Sequence, residues 1–372
     1  MKIIYLANIR MPTEKAHGWQ IMKMCGTFSA LGHQVELVVP RRLNNLKADP
    51  FAYYNLPPNF KITKLPCLDL IFLDKIIGNL AFWLATATFL LASRCYVFFR
   101  EYDIIYTREE QFGLFFKSAF LELHSLPAAS KSYHRLFWRR FKRIIVLTDF
   151  IKTALINNGI AASEILIAPD GVDLADFDLA LSAPAARNKV NLPLDKKLIV
   201  YTGHLYGWKG AQVLAEAAKY LPAQALVVFI GGTEEDVRTF QKKNEGNANI
   251  LILGHQPHQQ IPFYLKAADV LVLPNSGKEK ISQFYTSPLK LFEYLASGAP
   301  LVASNLPSLR EILNEQNAVL VEPDNPRLLA EGISKVLTQR QLAEAISRQA
   351  HNDAQKYSWE KRTEKIISFF NS

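Results

Sequence analysis

Short apolar runs alternate with amphipathic stretches along the chain. After the first run, the segment HGWQIMKMCGTFSALG places apolar residues at helical spacing. The runs are KIIYLA, QVELVVP, YDIIYT, AFLELH, RIIVLT and EILIAP in the first half, and KLIVYTG, ALVVFIGG, ANILILG, ADVLVLP, APLVAS and AVLVEP in the second. Short runs rich in isoleucine, leucine and valine that alternate with helical patterns predict parallel strands covered by helices on both faces.

The two series of runs predict two doubly wound, Rossmann-like α/β domains. Residues 181–196 lack periodicity and are rich in alanine, proline and asparagine, which favours a linker. We therefore expect domains at 1–180 and 197–355, and a final helix at 356–372 that crosses back to the first domain. Open parallel sheets bind ligands at the carboxyl ends of their strands, so two facing domains predict a ligand between them.

The number and spacing of the cysteines exclude two classes of protein. The 372 residues include three cysteines, Cys25, Cys67 and Cys95, that are far apart in sequence. This spacing excludes a disulfide framework and a cysteine-rich zinc module, and it favours a cytoplasmic location. The opening run MKIIYLANIR is too short for a signal peptide and predicts a first strand.

The positive charge is unevenly distributed. Residues 1–148 contain 20 Lys and Arg against 10 Asp and Glu, whereas the remaining residues contain 23 against 24. The whole net charge of +9 therefore lies in the first part of the chain. Such a basic half indicates an anionic partner, which by charge alone could be a membrane surface, an acidic polymer or a nucleic acid.

The segment YTGHLYGWKG follows a predicted strand and precedes a predicted helix. Gly203 and Gly210 allow tight turns and a close approach of backbone to a ligand. Lys209 lies near the start of the helix, where amide groups and the helix dipole favour an anion such as a diphosphate. The segment lacks the spacing of a Walker A or dinucleotide-binding motif. The alternative is a glycine-rich connection with a solvated lysine.

The segment SPLKLFEYLASGAPLVAS predicts a second helix start beside the sheet. Ser287 is a candidate N-cap and Pro288 suits the first helical position, while Gly298 ends the helix. Glu293 lies about one and a half turns into this helix. Its carboxylate could accept hydrogen bonds from vicinal hydroxyl groups such as those of a ribose, or it could simply face solvent.

Six segments in this order resemble glycosyltransferase family 4, the retaining nucleotide-sugar glycosyltransferases of GT-B fold. Together they extend over nearly the whole chain, and the shared order is more specific than any one segment. They are HGWQIMKMCGTFSALGHQVELV, PDGVDLADF, YTGHLYGWKG, AADVLVLPNS, SPLKLFEYLASGAPLVAS and YSWEKR.

The resemblance implies roles for matching residues. Lys209 would hold the donor diphosphate, Glu293 would bind the ribose hydroxyls, and His124 would contact the transferred sugar or the acceptor. Gly18 would let the first loop close over the donor, and backbone near Gly254 would recognise the nucleobase. The full expected donor site is Gly18, Gly203, His204, Lys209, Gly254, Ser287, Pro288, Leu289 and Glu293.

The chain departs from the family pattern at three positions. Tyr285 stands where the family often has a second glutamate, His204 where it usually has an arginine, and Asp170 where asparagine is common. A histidine is only partly charged near neutral pH. Phosphate binding is therefore expected to depend more strongly on Lys209.

The resemblance implies a retaining, metal-independent hexosyltransferase without a cofactor. It would move a sugar from a nucleotide donor to a glycan or lipid-linked acceptor in the synthesis of envelope polysaccharide, lipopolysaccharide or glycolipid. In this family the departing phosphate takes the acceptor's proton and no protein nucleophile is required. No metal site is expected, because the closest histidine pair, His255 and His258, has no evident third ligand.

Residues 76–93 form an uncharged, mostly apolar stretch that is close to the length of a membrane span. A span here would put the strands before and after it on opposite sides of a bilayer, and their sheet could not form. We therefore favour a long helix packed on the first domain with one apolar face exposed.

The segment KSYHRLFWRRFKR predicts a basic amphipathic helix over 131–143, with Tyr133, Phe137 and Phe141 along its aromatic face. Its basic face could bind an anionic membrane reversibly, or it could be solvated above an aromatic face packed on the core. The first interpretation places the protein peripherally on the inner face of the cytoplasmic membrane. The residues expected at the acceptor or membrane surface are Arg135, Arg139, Arg140, Lys142 and Arg143.

The sequence also allows three other functions. Tyr285 and His204 would suit a catalytically silent GT-B subunit that binds a membrane or a partner enzyme. A sugar-nucleotide epimerase would need a pair of acid–base carboxylates that the sequence does not indicate. Nucleic-acid binding has only the basic helix in its favour, without an accompanying recognition motif.

Overall fold

The computed structural model describes residues 1–70, 78–116, 118–127 and 132–372. The chain divides into two compact units. The first contains residues 1–147, 151–168 and 363–372, and the second contains residues 148–150 and 169–362.

The first unit is built on a seven-stranded parallel sheet with the order β3-β2-β1-β4-β5-β6-β7. The strand order reverses between β1 and β4, where Ile3 is the partner of both Val35 and Ile104. Its strands are β1 (Lys2–Leu6), β2 (Gln34–Pro40), β3 (Lys61–Leu65), β4 (Ile104–Thr107), β5 (Phe120–Leu123), β6 (Arg143–Val146) and β7 (Ile165–Ile167).

The second unit is built on a six-stranded parallel sheet with the order β10-β9-β8-β11-β12-β13. Here the order reverses between β8 and β11. The strands are β8 (Lys197–Thr202), β9 (Ala225–Ile230), β10 (Ile250–Gly254), β11 (Val270–Leu273), β12 (Leu301–Ser304) and β13 (Val319–Val321). Two doubly wound, Rossmann-like units are therefore confirmed.

Helices connect the strands in both units. The helices up to the second sheet are α1 (Ala16–Ala30), α2 (Pro50–Tyr54), α3 (Asn79–Phe98), α4 (Ser132–Trp138), α5 (Asp149–Asn157), α6 (Leu174–Phe177) and α7 (Ala183–Lys189). Those that follow are α8 (Ala211–Ala217), α9 (Glu234–Lys243), α10 (Ile261–Ala267), α11 (Leu289–Ala296), α12 (Pro307–Arg310), α13 (Pro326–Thr338), α14 (Arg340–Ala354) and α15 (Trp359–Asn371).

The central strands are buried on both faces, which explains why their sequences are continuous apolar runs. Every residue of β11 and β12 is fully or almost fully buried. One apolar cluster covers each face of the second sheet, and α11 and α14 contribute to one of them while α8 and α13 contribute to the other.

Strand β3 was absent from the predicted series. Three of the five residues in its sequence KITKL are polar, and its burial is only partial because it forms the edge of the sheet beside β2. The edge position allows Lys61 and Lys64 on the strand, so its pattern lacks the apolar run on which the other strands were recognised.

The chain changes from the first unit to the second between Ala168 and Pro169. The expected linker at 181–196 instead lies within the second unit and contains α7. Buried Arg187 fixes this segment, because its guanidinium donates to the Asp269 carboxylate at 2.6 Å and to the Ala267 carbonyl at 3.0 Å. The alanine-rich composition thus reflects close helix packing and not flexibility.

The apolar stretch at 76–93 contributes to α3, although its first two residues lie outside the described part of the chain. Among the described residues, α3 is the one helix long and apolar enough to cross a membrane by length and composition, and 39% of that window is buried. Its buried face contains Ala81, Ala85, Phe89 and Val97. These contacts agree with the expectation of a long helix that packs one face on the first domain.

The basic helix is shorter than predicted. It ends at Trp138, and the amide of Lys142 already donates to the Ala119 carbonyl as the chain enters the sheet. Its buried side chains are His134 and Trp138 instead of Tyr133, whose side chain is exposed. Both buried residues hydrogen-bond the Glu110 carboxylate, which turns the helix away from the predicted orientation. Lys131 lies outside the described residues.

The predicted final helix is α15, and its residues from Thr363 onward belong to the first unit. Phe370 is 4% exposed and its ring lies 4.4 Å from Phe120, 5.6 Å from Tyr106 and 6.1 Å from Phe28. These rings belong to β5, β4 and α1. The last turn of the chain is therefore part of the first unit's core.

We expect Phe370→Ala to lower the free energy of unfolding by about 3–5 kcal/mol, because it leaves a cavity among three aromatic rings. Urea unfolding followed by circular dichroism measures the loss. The matched control is Ser368→Ala on the exposed side of the same helix, which should change stability by less than about 0.5 kcal/mol. Equal stability of the two variants would contradict this packing role.

Candidate functional site

The carboxyl ends of β8 and β11 form the switch point of the second sheet, where such sheets bind ligands. Gly203 follows β8 with a φ of +118° and donates its amide to the Ile230 carbonyl. A Cβ on neighbouring Gly231 would lie 2.6 Å from the Gly203 carbonyl oxygen. Close packing thus excludes a side chain at Gly231, whereas at Gly203 it is the positive φ that disfavours one.

Gly210 ties the glycine-rich segment to the loop after β11. Its φ is +72°, and a Cβ there would lie 1.7 Å from the Pro274 carbonyl oxygen. The amide of Ser276 donates to the Trp208 carbonyl at 2.9 Å. These contacts hold the 3₁₀ turn Gly207–Lys209 at the switch point.

Lys209 lies in this turn with most of its side chain removed from water. Burial lowers the pKa of its amine from 10.5 to about 8. The amine lies 5.2 Å from the ring centre of Trp208 and 5.6 Å from that of Tyr206. It forms no ion pair with any carboxylate in the described residues. A largely buried amine that lacks an anionic partner in the protein is a candidate site for binding an anion.

Lys290, in α11, is a second amine at the same place. Its Nζ donates to the Thr202 carbonyl at 2.9 Å and lies 3.7 Å from the ring centre of Tyr201. Burial and then the nearby charge of Lys209 hold its pKa well below the usual value. The two lysines therefore repel each other, and an anion bound between them would relieve that repulsion.

His204 follows Gly203 and stacks on Tyr206 with parallel rings 4.8 Å apart. Burial and then the charge of Lys209 lower its pKa, although Asp236, 3.8 Å from Nδ1, acts in the opposite direction. The imidazole is therefore mostly neutral at pH 7. This agrees with the expectation that positive charge at this site comes mainly from lysine.

Glu293 lies in α11 on the turn after Lys290, and its side chain is 13% exposed. His258 Nε2 approaches its Oε1 at 3.4 Å. Burial acts to lower the pKa of His258, but the hydrogen bond and charge of Glu293 outweigh burial and raise it. Glu293 is thus positioned by His258, and a small part of its side chain remains exposed.

The start of α11 differs from the prediction by one residue. Pro288 is the N-cap with an extended backbone, and the helix begins at Leu289. Ser287 does not cap the helix, and its hydroxyl accepts a hydrogen bond from the Asp170 amide at 3.3 Å. The first amides of α11 still project from the carboxyl edge of the sheet. Gly254 lies at the same edge, where its carbonyl accepts from Gly231 at 2.6 Å.

The first unit contains a polar cluster at the end of β5. Glu122 is completely buried, and its carboxylate accepts from Gln20 Nε2 at 2.9 Å and from the Tyr106 hydroxyl. His124 Nε2 lies 2.6 Å from the same carboxylate. Arg108 donates to Gln20 Oε1 at 2.8 Å and extends the cluster to the end of β4. His124 is thus oriented by a buried acid.

Gly18 lies in the first turn of α1 and not in a loop. A Cβ there would lie 2.3 Å from the Tyr54 hydroxyl and 2.4 Å from the Thr13 side chain. The Tyr54 hydroxyl also bonds both the amide and the carbonyl of Thr13. Close packing is therefore sufficient to require glycine at this position.

The second unit brings together Gly203, His204, Lys209, Gly254 and Glu293, while Gly18 and His124 belong to the first unit. Sequence reasoning missed two buried polar residues, Glu122 and Lys290. Each stands inside an apolar run, LELH or PLKLF, where a charged residue needs a specific partner. That signal could have identified both.

Most of the second unit matches a known protein family. Residues 182–353 match the family described as Glycosyl transferases group 1. The chain is 28% identical over 170 residues to the putative teichuronic acid biosynthesis glycosyltransferase TuaC of Bacillus subtilis, covering 45% of this chain and 40% of the relative. It is 29% identical over 191 residues to the putative colanic acid biosynthesis glycosyl transferase WcaI of Escherichia coli, covering 49% and 46%. The chain thus spans less than half the length of these two relatives.

Solved structures resemble the whole chain at low identity. Sucrose-phosphate synthase from Thermosynechococcus elongatus superposes with a TM-score of 0.77 at 17% identity, covering 100% of this chain and 98% of that one. HepE of Anabaena, in complex with UDP and glucose, gives 0.73 at 17% with full coverage of both chains. WaaG, a glycosyltransferase involved in lipopolysaccharide biosynthesis, gives 0.71 at 16%, also with full coverage. At this identity these likenesses show the fold.

We expect Glu122→Ala to lower the free energy of unfolding by about 2–4 kcal/mol, because it leaves the buried donors of Gln20 and Tyr106 without their acceptor. Urea unfolding at pH 7 measures the loss. Glu122→Gln keeps the size and one acceptor oxygen and should cost less. Exposed Glu164→Ala in the same unit is the control and should be nearly neutral. A neutral Glu122→Ala would refute the inferred cluster.

Proposed function

We propose that the chain is a retaining glycosyltransferase that uses a nucleoside-diphosphate-sugar donor, since residues 182–353 match the group 1 glycosyl transferases and the chain has the GT-B fold. Lys209 carries this proposal, because it is an enclosed amine without a carboxylate partner in the described residues. It lies at the sheet edge where this fold binds ligands.

The residues of the second unit match the parts of such a donor. Lys209 and Lys290 would neutralise the diphosphate, with help from the first amides of α11. Glu293, fixed by His258, would accept hydrogen bonds from the ribose hydroxyls. The backbone around Gly254 would meet the nucleobase. His124 of the first unit, oriented by Glu122, would contact the sugar or the acceptor.

The transfer we propose requires no protein nucleophile. The bond between the anomeric carbon and the diphosphate oxygen breaks, and the acceptor oxygen bonds to the same face of that carbon. The acceptor's proton passes to the departing phosphate. Negative charge grows on the diphosphate during this step, so two lysine amines placed beforehand stabilise the transition state more than the ground state. Because the lysines supply the charge, the proposal includes no metal and no cofactor.

The acceptor we propose is a glycan or lipid-linked glycan of the cell envelope. TuaC, WcaI and WaaG are named for teichuronic acid, colanic acid and lipopolysaccharide synthesis. These names support an envelope polysaccharide or lipopolysaccharide as the product class. The donor nucleotide is left to experiment.

The proposal places the protein in the cytoplasm, in reversible contact with an anionic membrane through the first unit. The side chains of Arg135, Arg139 and Lys142 are exposed around the end of α4. Arg143 is less available to a lipid surface, because its guanidinium lies 4.5 Å over the ring of Phe369. Each exposed basic residue near an anionic leaflet contributes about 1 kcal/mol, so the contact would be weak and sensitive to salt.

We expect Lys209→Ala to weaken nucleoside diphosphate binding and turnover by about 100-fold, because one charged phosphate contact is worth roughly 3 kcal/mol. Calorimetric titration with UDP, GDP and ADP measures binding and identifies the donor class. Exposed Lys219→Ala in the same unit is the matched control. Wild-type affinity in folded Lys209→Ala would exclude this role, and no binding by the wild-type protein would favour a silent subunit.

The lowered pKa of Lys209 predicts a pH dependence of binding. The free amine loses its proton as the pH rises through about 8, whereas a bound diphosphate keeps it protonated. Affinity should therefore fall about tenfold between pH 7 and pH 9, with proton uptake at the higher pH. Titrations in buffers of different ionisation enthalpy measure both. Lys209→Arg stays charged at this position, so its affinity should fall less than that of the wild-type protein over the same range. A flat wild-type profile would contradict the assignment.

A further inference from the structure

The outward face of α3 is apolar except for the exposed Arg94 near its end. At helical spacing it exposes Leu80 (56%), Trp83 (49%), Leu84 (38%), Leu91 (55%) and Phe98 (69%), with Cys95 also exposed. We call this face the α3 stripe. Twenty helical residues extend about 30 Å, so the stripe is far longer than the scattered exposed leucines of an ordinary surface.

The opposite face of α3 is fixed to the first unit by polar as well as apolar contacts. Asn8 Nδ2 donates to the Thr86 hydroxyl at 3.0 Å, and the Tyr96 hydroxyl donates to Glu36 at 2.7 Å. The Phe89 ring packs 5.8 Å from that of Phe112. A bilayer core would leave Thr86 and Tyr96 without these partners, so the packed helix can present only one face to lipid.

The charge around the stripe suits an anionic surface. Residues 78–100 contain no acidic residue, and Arg94 is the one charged residue within α3. The guanidinium groups of Arg94 and Arg100 lie 5.8 Å over Phe98 and 4.8 Å over Tyr96, at the helix end. An apolar face flanked by arginine and containing tryptophan is the pattern of a helix that lies in the membrane interface.

The stripe belongs to the same part of the first unit as the basic residues of α4. Phe89 of α3 packs on Phe112 of the 3₁₀ turn Glu110–Leu114, and His134 and Trp138 of α4 bond Glu110 of that turn. Helices α3 and α4 are therefore packed against the same short turn of the first unit.

We propose that α3 lies in the plane of an anionic lipid bilayer, with the α3 stripe at the boundary between headgroups and acyl chains. The helix is thus an interfacial anchor and not a span. This inference rests on the membrane contact included in the proposed function, but it concerns insertion and requires neither nucleotide nor turnover.

Vesicle partition tests the stripe. The probe is 1:1 phosphatidylglycerol–phosphatidylcholine vesicles in 0.5 M NaCl, where contacts between exposed charges are largely screened. We expect the wild-type protein to float with the vesicles and Leu84→Gln/Leu91→Gln to lose at least tenfold in partition. The matched control is Leu43→Gln/Leu194→Gln, two leucines that are 74% and 56% exposed elsewhere, and it should partition as the wild-type protein does. Circular dichroism confirms that each variant is folded.

A fluorophore at Cys95 measures insertion directly. Cys25 is buried, and Cys67→Ser removes the other accessible thiol, so Cys95 can be labelled alone. Emission from an environment-sensitive label should rise with anionic vesicles and be quenched by a quencher on the acyl chain. Flotation with unchanged emission would overturn insertion and leave only the electrostatic contact.

Two further outcomes would overturn the inference. No flotation at low or high salt would exclude the membrane contact altogether, while nucleotide binding in the same preparation would leave the transferase proposal intact. Emission that rises with protein concentration in the absence of vesicles, together with a doubled mass by light scattering, would show that a second copy of the chain covers the stripe.

Discussion

Parallel pairing places the carboxyl ends of all strands of a sheet at one edge, and both polar clusters of this protein follow from that geometry. In the second unit, β8 pairs with β11 at the point where the strand order reverses, so the loops after the two strands meet. Gly210 allows them to touch at Pro274. Lys209 is held at this junction for that reason, and α11 delivers Lys290 and Glu293 to it from the following connection.

The two clusters differ in how far the protein itself compensates their buried charges. In the first unit Glu122 is satisfied by donors from α1, β4 and the end of its own strand, so its environment is complete without a ligand. In the second unit the Lys209 amine lies beside the ring of Trp208, and the Lys290 amine donates to the Thr202 carbonyl. Neither amine forms an ion pair among the described residues. The first arrangement stabilises the fold, whereas the second leaves binding energy available to an anion.

The apolar runs were sufficient to predict two doubly wound units because central parallel strands are buried on both faces. They failed for β3, since an edge strand can contain several polar residues, and for α4, whose length depends on where Lys142 joins the sheet. At the site, the glycines and Lys209 were recognisable from spacing along the chain. The apolar run around Lys290 marks it as unusual, but the partners of Lys290 and His258 are Thr202 and Glu293, which are distant in sequence. Local patterns do not identify such partners.

Residues 363–372 complete a unit that otherwise ends at residue 168, so the first unit is discontinuous in sequence. During synthesis the strands of its sheet emerge from the ribosome long before Phe370. The rings of Phe28, Tyr106 and Phe120 therefore lack their packing partner until the end of the chain has been made. Domains commonly fold in the order in which they are made. Here the unit made first is finished last, so a chain released before its final turn would expose an unfilled aromatic core, a defect that cellular quality control can recognise.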